Sequence, residues 1–286
     1  MKNVHLAFPN RIDPATLSGG SWLSTLPLNN LKNPRLSRQA RTVDATNAST
    51  KFVIDLGQAR NVEVVALIAH NLSANAQVRI KANSTNSFTT PGFDSGWVEM
   101  WPEGFLSGGK LEWEDDNFWL GSLSEEAAAG YKTPFSYFLT ASISYQYWQV
   151  EIDDAANPDG YFSLGRCFIG PVFVPTHNMS YGTGLSVNDA TAFETSLSGE
   201  EFYDTRQRYR TYAFSLDFLS EEEAYADILD MQRLMGTSGE IFVNGDPDDE
   251  TNKPRRSFLA RLASTAPIVH QHALLFSAQI NLKEVL

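Results

Sequence analysis

Four of the six tryptophans, Trp97, Trp101, Trp113 and Trp119, fall within roughly residues 84–135, and Glu112, Glu114, Asp115 and Asp116 sit among them. Indole faces stack on the apolar side of a sugar ring, and carboxylates accept hydrogen bonds from its hydroxyls. Trp97, Trp101, Trp113, Trp119, Glu112 and Asp115 are therefore candidate carbohydrate-binding residues. The plain alternative for each tryptophan is a plug in a β core or an oligomer contact. A second set is Arg206, Arg208 and Arg210, which alternate with Gln207, Tyr209 and Thr211. On a strand the three guanidiniums share one face. In an acidic chain such a stripe suits either charge-complementary contact between copies or partners, or a solvated strand face.

Other chemistry is sparse. No G-x-S-x-G elbow, P-loop, H-E-x-x-H or G-x-G-x-x-G is present. His270 and His272 would share a strand face, but no third metal ligand can be named, and two surface histidines are the simpler reading. Asp246, Asp248, Asp249 and Glu250 offer oxygen ligands without the EF-hand pattern, and read better as a solvated acidic loop. Cys167 is the only cysteine, so neither an internal disulfide nor a thiolate zinc set can form. It lies in a predicted strand, where a buried thiol is inert. The expectation is no catalytic residue, no metal and no cofactor. Acids are plentiful enough that a glycan-cleaving enzyme using two carboxylates stands as an alternative.

The 286 residues carry 22 Lys and Arg against 34 Asp and Glu, a formal net charge of −12. Nucleic-acid affinity rests largely on phosphate neutralisation, so this balance argues against a nucleic-acid partner, and equally against an anionic membrane surface. With 42% hydrophobic and 20% charged residues the chain can build a packed core. No stretch approaches the ~18 apolar residues of a membrane span, and the first residues lack the apolar run of a secretory signal.

The elements that would position these residues are mostly strands. Segments 51–56, 61–70 and 76–82 are β-branched or alternating, with Gly57 ending the first. In 145–153, Trp148, Val150 and Ile152 share one face. The Asn157-Pro158-Asp159-Gly160 turn and the segment 161–169 then complete a hairpin with a longer loop. Residues 172–188 read as a linker. Beyond it, 205–220 reads as one long strand. Ser220 and Glu223 form a capping box for a helix over 221–235, whose apolar stripe is Ala224, Ile228, Met231 and Met235. Strands are expected over 240–244, 256–263 and 272–281, the last with Leu274, Phe276, Ala278 and Ile280 on one face. The fold class is mainly β: an antiparallel jelly-roll sandwich over 1–175, then a β sandwich or barrel with one helix over 176–286.

Two resemblances sharpen this. Phe52-Val53-Ile54-Asp55-Leu56-Gly57, followed by 62–69, 78–81, the Tyr147–Ile152 strand and 161–170, resembles the discoidin, galactose-binding-like family. That implies an eight-stranded antiparallel sandwich whose end loops bind carbohydrate or protein. The chain departs from the extracellular members in lacking their paired cysteines and in its long middle insert. The segment from Arg208 to Leu219, its capped helix, 239–244 and the Asp246-Pro247 loop are similar to tail-tube and distal-tail domains of long-tailed bacteriophages. The phrase Asn30-Leu31-Lys32-Asn33-Pro34 with Arg41 looks like phage tail-tip proteins. This resemblance implies a structural, non-enzymatic tail-tip or baseplate component. Its C-terminal domain would form a homo-oligomeric ring, trimeric or hexameric, with other tail proteins as partners. Its location would be the virion tail tip, after assembly in the host bacterial cytoplasm, which fits the single cysteine. Surface glycan is the expected ligand of the jelly roll. A carbohydrate-binding module outside any virion is the alternative.

Overall fold

The computed structural model describes residues 3–73, 75–100, 134–249 and 252–286. In chain order its strands are β1 (His5–Ala7), β2 (Thr16–Ser18), β3 (Ala40–Arg41), β4 (Phe52–His70), β5 (Gln77–Asn83), β6 (Phe93–Glu99), β7 (Phe135–Asp153), β8 (Ser163–Gly170) and β9 (Val172–Phe173). The later ones are β10 (Gly184–Asn188), β11 (Ala192–Thr195), β12 (Glu201–Asp204), β13 (Tyr209–Leu219), β14 (Ile241–Asn244), β15 (Ser257–Ser264), β16 (Ile268–His272) and β17 (Leu275–Glu284). The chain is mainly β and antiparallel, with one main helix. Among the described residues, seven strands form the jelly roll in the order β3-β8-β4-β7-β5-β6, with β2 on β4. Eight form a second sheet in the order β10-β13-β17-β15-β14-β1-β9, with β16 on β17, while β11 and β12 pair only with each other. Sheet membership crosses the sequence order, because β1 inserts between β14 and β9 of the second sheet.

The segments 51–56 and 61–70 are one strand rather than two. Gly57 takes φ 76°, and the register of β4 on β7 shifts between Asp55 and Arg60 and again between Val62 and Val64. The glycine therefore bends the strand instead of ending it. Both halves of β4 then feed one core: Phe52 and Ile54 from the first, Val65 and Leu67 from the second, packed with Val78, Ile80, Trp148, Val150 and Ile152. The expected hairpin of 145–153 with 161–169 does not form. β4 lies between them, pairing Ile54 with Trp148 on one side and Ala66 with Phe168 on the other. A strand apolar on both faces belongs in the interior of a sheet, and the connection between β7 and β8 is long enough to pass around it.

Double-sided burial also explains how the two sheets meet. All eight residues of β8 are buried. Leu164, Cys167 and Ile169 enter the jelly-roll core, whereas Phe168, with Val64, Ala66 and Ile68 of β4, joins Ala7, Phe242 and Leu259 of the second sheet. Phe168 and Phe242 stand 5.9 Å apart between ring centroids. At Gly165 a Cβ would lie 2.9 Å from the Leu36 carbonyl oxygen, so the residue must be small for this segment to close on the strand. Beside it Arg166, 1% exposed, donates from Nε to Glu240 Oε2 at 2.9 Å, from Nη1 to the Leu31 carbonyl at 3.1 Å and from Nη2 to Asp13 Oδ1 at 2.6 Å.

In the second sheet the helix forms over 221–235, with a wide π-helical stretch at Glu223–Leu229 followed by α-helix at Asp230–Met235. Ala224, Ile228 and Met231 are buried against Phe214, Leu216, Phe276 and Ile280. The capping box is present: Ser220 N donates to Glu223 Oε2 at 2.8 Å, and Glu223 N donates to Ser220 Oγ at 3.3 Å. Two expectations change here. β13 starts at Tyr209, so Arg206 and Arg208 precede it and only Arg210 lies in it. Leu274 is not on the buried face of the last strand; it sits in the β16–β17 turn at φ 65°, 76% exposed.

Two measurements follow from these contacts. Arg166→Met, which strands Glu240 without its guanidinium, should lower the stability in urea by about 3–5 kcal/mol, and Arg166→Met with Glu240→Met should recover much of that loss. Glu223→Ala should cost about 0.5–2 kcal/mol at neutral pH. Burial works to raise the Glu223 carboxyl, but the amides of Ser220 and Thr176 outweigh it and hold the group below its ordinary range. Its contribution is thus full above about pH 4.3, the value of a free Glu, and disappears as pH falls through the lower folded value. Urea midpoints of wild type and Glu223→Ala should converge on acidification.

Candidate functional site

Of the candidate sugar-binding residues, Trp101, Trp113, Trp119, Glu112 and Asp115 lie outside the described residues. Trp97 is on β6, paired with Arg79 of β5 and 40% exposed. The Arg79 guanidinium carbon lies 5.9 Å from the indole centroid, and its Nε donates to Asp94 Oδ1 at 2.8 Å. That hydrogen bond is the main cause holding the Asp94 carboxyl below the usual carboxylate range. The result is an exposed aromatic beside a charged donor and a charged acceptor. Such a set can stack on a pyranose face and reach its hydroxyls.

The three arginines converge on a cleft of about 1200 Å³ between the two sheets. Arg206 and Arg208 lie at its edge, 60% and 69% exposed, paired with Asp204 at 3.2 Å and Asp189 at 2.9 Å. Thr191, then Arg208, hold Asp189 down to about 2, so the Arg208 pair persists through mild acid. Arg210 is more deeply set. It clasps Glu284, donates from Nη1 to the Pro254 and Arg255 carbonyls, and lies 4.6 Å above the Phe258 ring. The sequence pattern alone would have made these three equivalent. The structure makes Arg210 a fixed wall and leaves Arg206 and Arg208 facing solvent.

One surface was missed in the sequence. β11 and β12 form a hairpin whose eight residues are all exposed. Phe193, Phe202 and Tyr203 are 63%, 59% and 61% exposed, and Leu197 at the tip is fully so. Phe193 and Tyr203 pair across the hairpin at 6.1 Å. The alternation around 192–204 was the available signal, but residues facing no core give a weak hydrophobic pattern. Among the described residues, the remaining sequence candidates are not brought together. His270 stacks on Phe276 at 4.5 Å, and the register shifts between His270 and His272, which breaks their expected common face. Of the acidic 245–254 loop, Asp246 and Asp249 lie against Arg256, whose Nη1 is 3.9 Å from Asp246 Oδ2 and 3.2 Å from Asp249 Oδ2, while Glu250 lies outside the described residues. Burial pushes the Cys167 thiol up to about 12, which removes the thiolate a nucleophile needs. Among the described residues no group of His, Cys, Asp and Glu is arranged to hold a metal, and no helix is long and apolar enough to cross a membrane.

No protein-family model and no curated protein matches the chain. Solved structures similar to it include a His 62 mutant of the lectin-binding domain of Lectinolysin complexed with Lewis b, at 16% identity and TM-score 0.37, covering 57% of this chain and 96% of that one. Another is the family 32 carbohydrate-binding module of Clostridium perfringens NanJ in complex with galactose, at 15% identity and TM-score 0.37, covering 58% of this chain and 98% of that one. A third is a Streptococcus pneumoniae fucose-binding module, at 11% identity and TM-score 0.36, covering 57% and 98%. These likenesses assign neither a ligand nor an activity to this chain.

Proposed function

We propose that this chain is a non-enzymatic assembly protein: a ring-forming component of a bacteriophage tail tip, which self-associates through its second sheet and presents the jelly roll for glycan binding. The observation that carries the assembly is the β11–β12 hairpin. Isolated two-stranded hairpins are at best marginally stable in water, and this one exposes the Phe193–Tyr203 pair on one face, Phe202 on the other and Leu197 at the tip. Large exposed apolar side chains grouped on a projecting element mark an interaction surface. Repeated use of one such surface on a different patch of the next copy produces rings when the rotation closes. The sugar-binding half of the proposal rests on Trp97 beside Arg79 and Asp94.

Light scattering on the purified chain should give a discrete multiple of the chain mass. Changing Phe193, Phe202 and Tyr203 to Ser should reduce it to smaller species without loss of the thermal transition, because none of the three supports the core. A wild-type chain that stays monomeric at every concentration, and absent from purified particles, would rule the assembly out. For the glycan half, titration calorimetry against galactose- and fucose-containing oligosaccharides should detect binding that Trp97→Ala weakens by about 0.5–1.5 kcal/mol, the stacking contribution of one aromatic. Binding indifferent to that change would move the glycan site elsewhere.

A further inference from the structure

The β11–β12 hairpin continues the β10–β13 ladder as one projecting arm. The register of Asn188 on Tyr209 resumes at Ala192 on Asp204 with a shift of a single residue. Two side-chain contacts bridge the gap between the ladders: Arg208 Nε donates to Asp189 Oδ2 at 2.9 Å, and the Arg206 amide donates to Thr191 Oγ1 at 3.4 Å. They hold the hairpin in line with the ladder, so it does not fold back over the outer edge of β10. Among the described residues no strand lies beyond β10, which ends the eight-stranded sheet.

The other sheet ends are blunted. β9 is two residues long and stands between Pro171 and Pro175. β3 is also two residues, and β6 carries Asp94 and Glu99 and shifts register against β5. Short length, proline, charge and irregular register are the devices that keep a sheet edge from pairing with another chain. β10 has none of them. It reads Gly184-Leu185-Ser186-Val187-Asn188, without a charge or a proline, and its register on β13 is regular. Alternate residues of an antiparallel edge strand aim their N–H and C=O groups away from the neighbour. Leu185 and Val187 share one face of it, 42% and 65% exposed.

We infer that β12 of one copy pairs with the open edge of β10 in the next, so that the second sheet runs on from copy to copy. The inference rests on the proposed self-assembly and names the strand that receives the hairpin. Each side supplies what the other lacks: the hairpin has two strands where three are needed for stability, and β10 has backbone groups without a neighbouring strand. Phe202 and Tyr203 point to opposite faces of β12, so either register sets one aromatic ring beside Leu185 and Val187. Uncharged β10 also opposes no acid to Glu201 and Asp204. Pairing β12 with β11 would bring those acids toward Glu194, and pairing β12 with itself would set acid against acid. Because the two edges differ, the contact is heterologous and repeats until it closes into a ring or runs on as a filament.

The test uses the full chain. Amide hydrogen exchange, followed by mass spectrometry over a concentration series, should slow about tenfold or more across 184–188 and 201–204 together as copies associate. Leu185→Glu with Val187→Glu sets like charges against β12 and should weaken self-association about tenfold or more by light scattering. Thermal melts should remain within a few degrees of wild type, because both positions are exposed. Chains carrying Ser186→Cys, mixed with chains carrying Glu201→Cys, should be joined by a short thiol cross-linker, while the buried Cys167 stays silent. Cross-linking of Ser186→Cys chains to one another alone, fast exchange over 184–188 in the assembled chain, or assembly unchanged by the two glutamates overturns the inference. If the hairpin serine changes dissociate the chain while 184–188 is never protected, the pairing is wrong and the assembly stands. A wild-type chain that never self-associates sinks both.

Discussion

Burial of Arg166 at the seam between the sheets is tolerable because two carboxylates and a carbonyl meet its guanidinium there. A cation taken out of water without such partners would cost several kcal/mol. Those partners come from three stretches distant in sequence: Asp13 and Leu31 from the connection before β4, and Glu240 from the entry to β14. The apolar residues around it impose the same demand. Phe168, Val64, Ala66 and Ile68 would lie bare on the outside of the jelly roll if Ala7, Phe242 and Leu259 were not laid over them. Ion pair and apolar seam together require the second sheet to sit where it does, and β1, crossing into that sheet, ties the start of the chain to it.

Away from the seam the same chain is left unsatisfied. The cleft, the hairpin of β11 and β12 and the outer face of the helix each leave large apolar side chains in solvent, next to arginines or acids. A molecule that buries one guanidinium so thoroughly, yet exposes Phe193, Leu197, Phe202 and Tyr203, separates the surfaces that hold it together from those available to partners. Among the described residues, the Cys167 thiol is buried, His270 stacks on Phe276, and Asp246 and Asp249 lie against Arg256.

Local physics was legible where one residue type dictates one geometry. The alternation of Trp148, Val150 and Ile152 marked a strand face, and Ser220 with Glu223 marked a helix start; both appear as read. The readings that failed involve choices between two non-local partners. Gly57 can end a strand or bend it, and only the cores built from both halves of β4 decide between them. A turn at Asn157–Gly160 permits a β7–β8 hairpin, but β4, apolar on both faces, takes the place between the two. The arginine stripe was visible as a pattern. That Arg206 and Arg208 precede the strand, while Arg210 is locked to Glu284, depends on where β17 ends.

By itself the sequence determined a mainly β chain, the Trp148–Ile152 strand face, the capped helix and a net negative charge, because side-chain period, capping chemistry and charge are properties of neighbours along the chain. The order of strands, the burial of Arg166 and the meeting of three arginines at one cleft were decided only by the tertiary structure. They depend on which faces cover one another, and that choice is settled by the burial of surfaces that lie far apart in sequence.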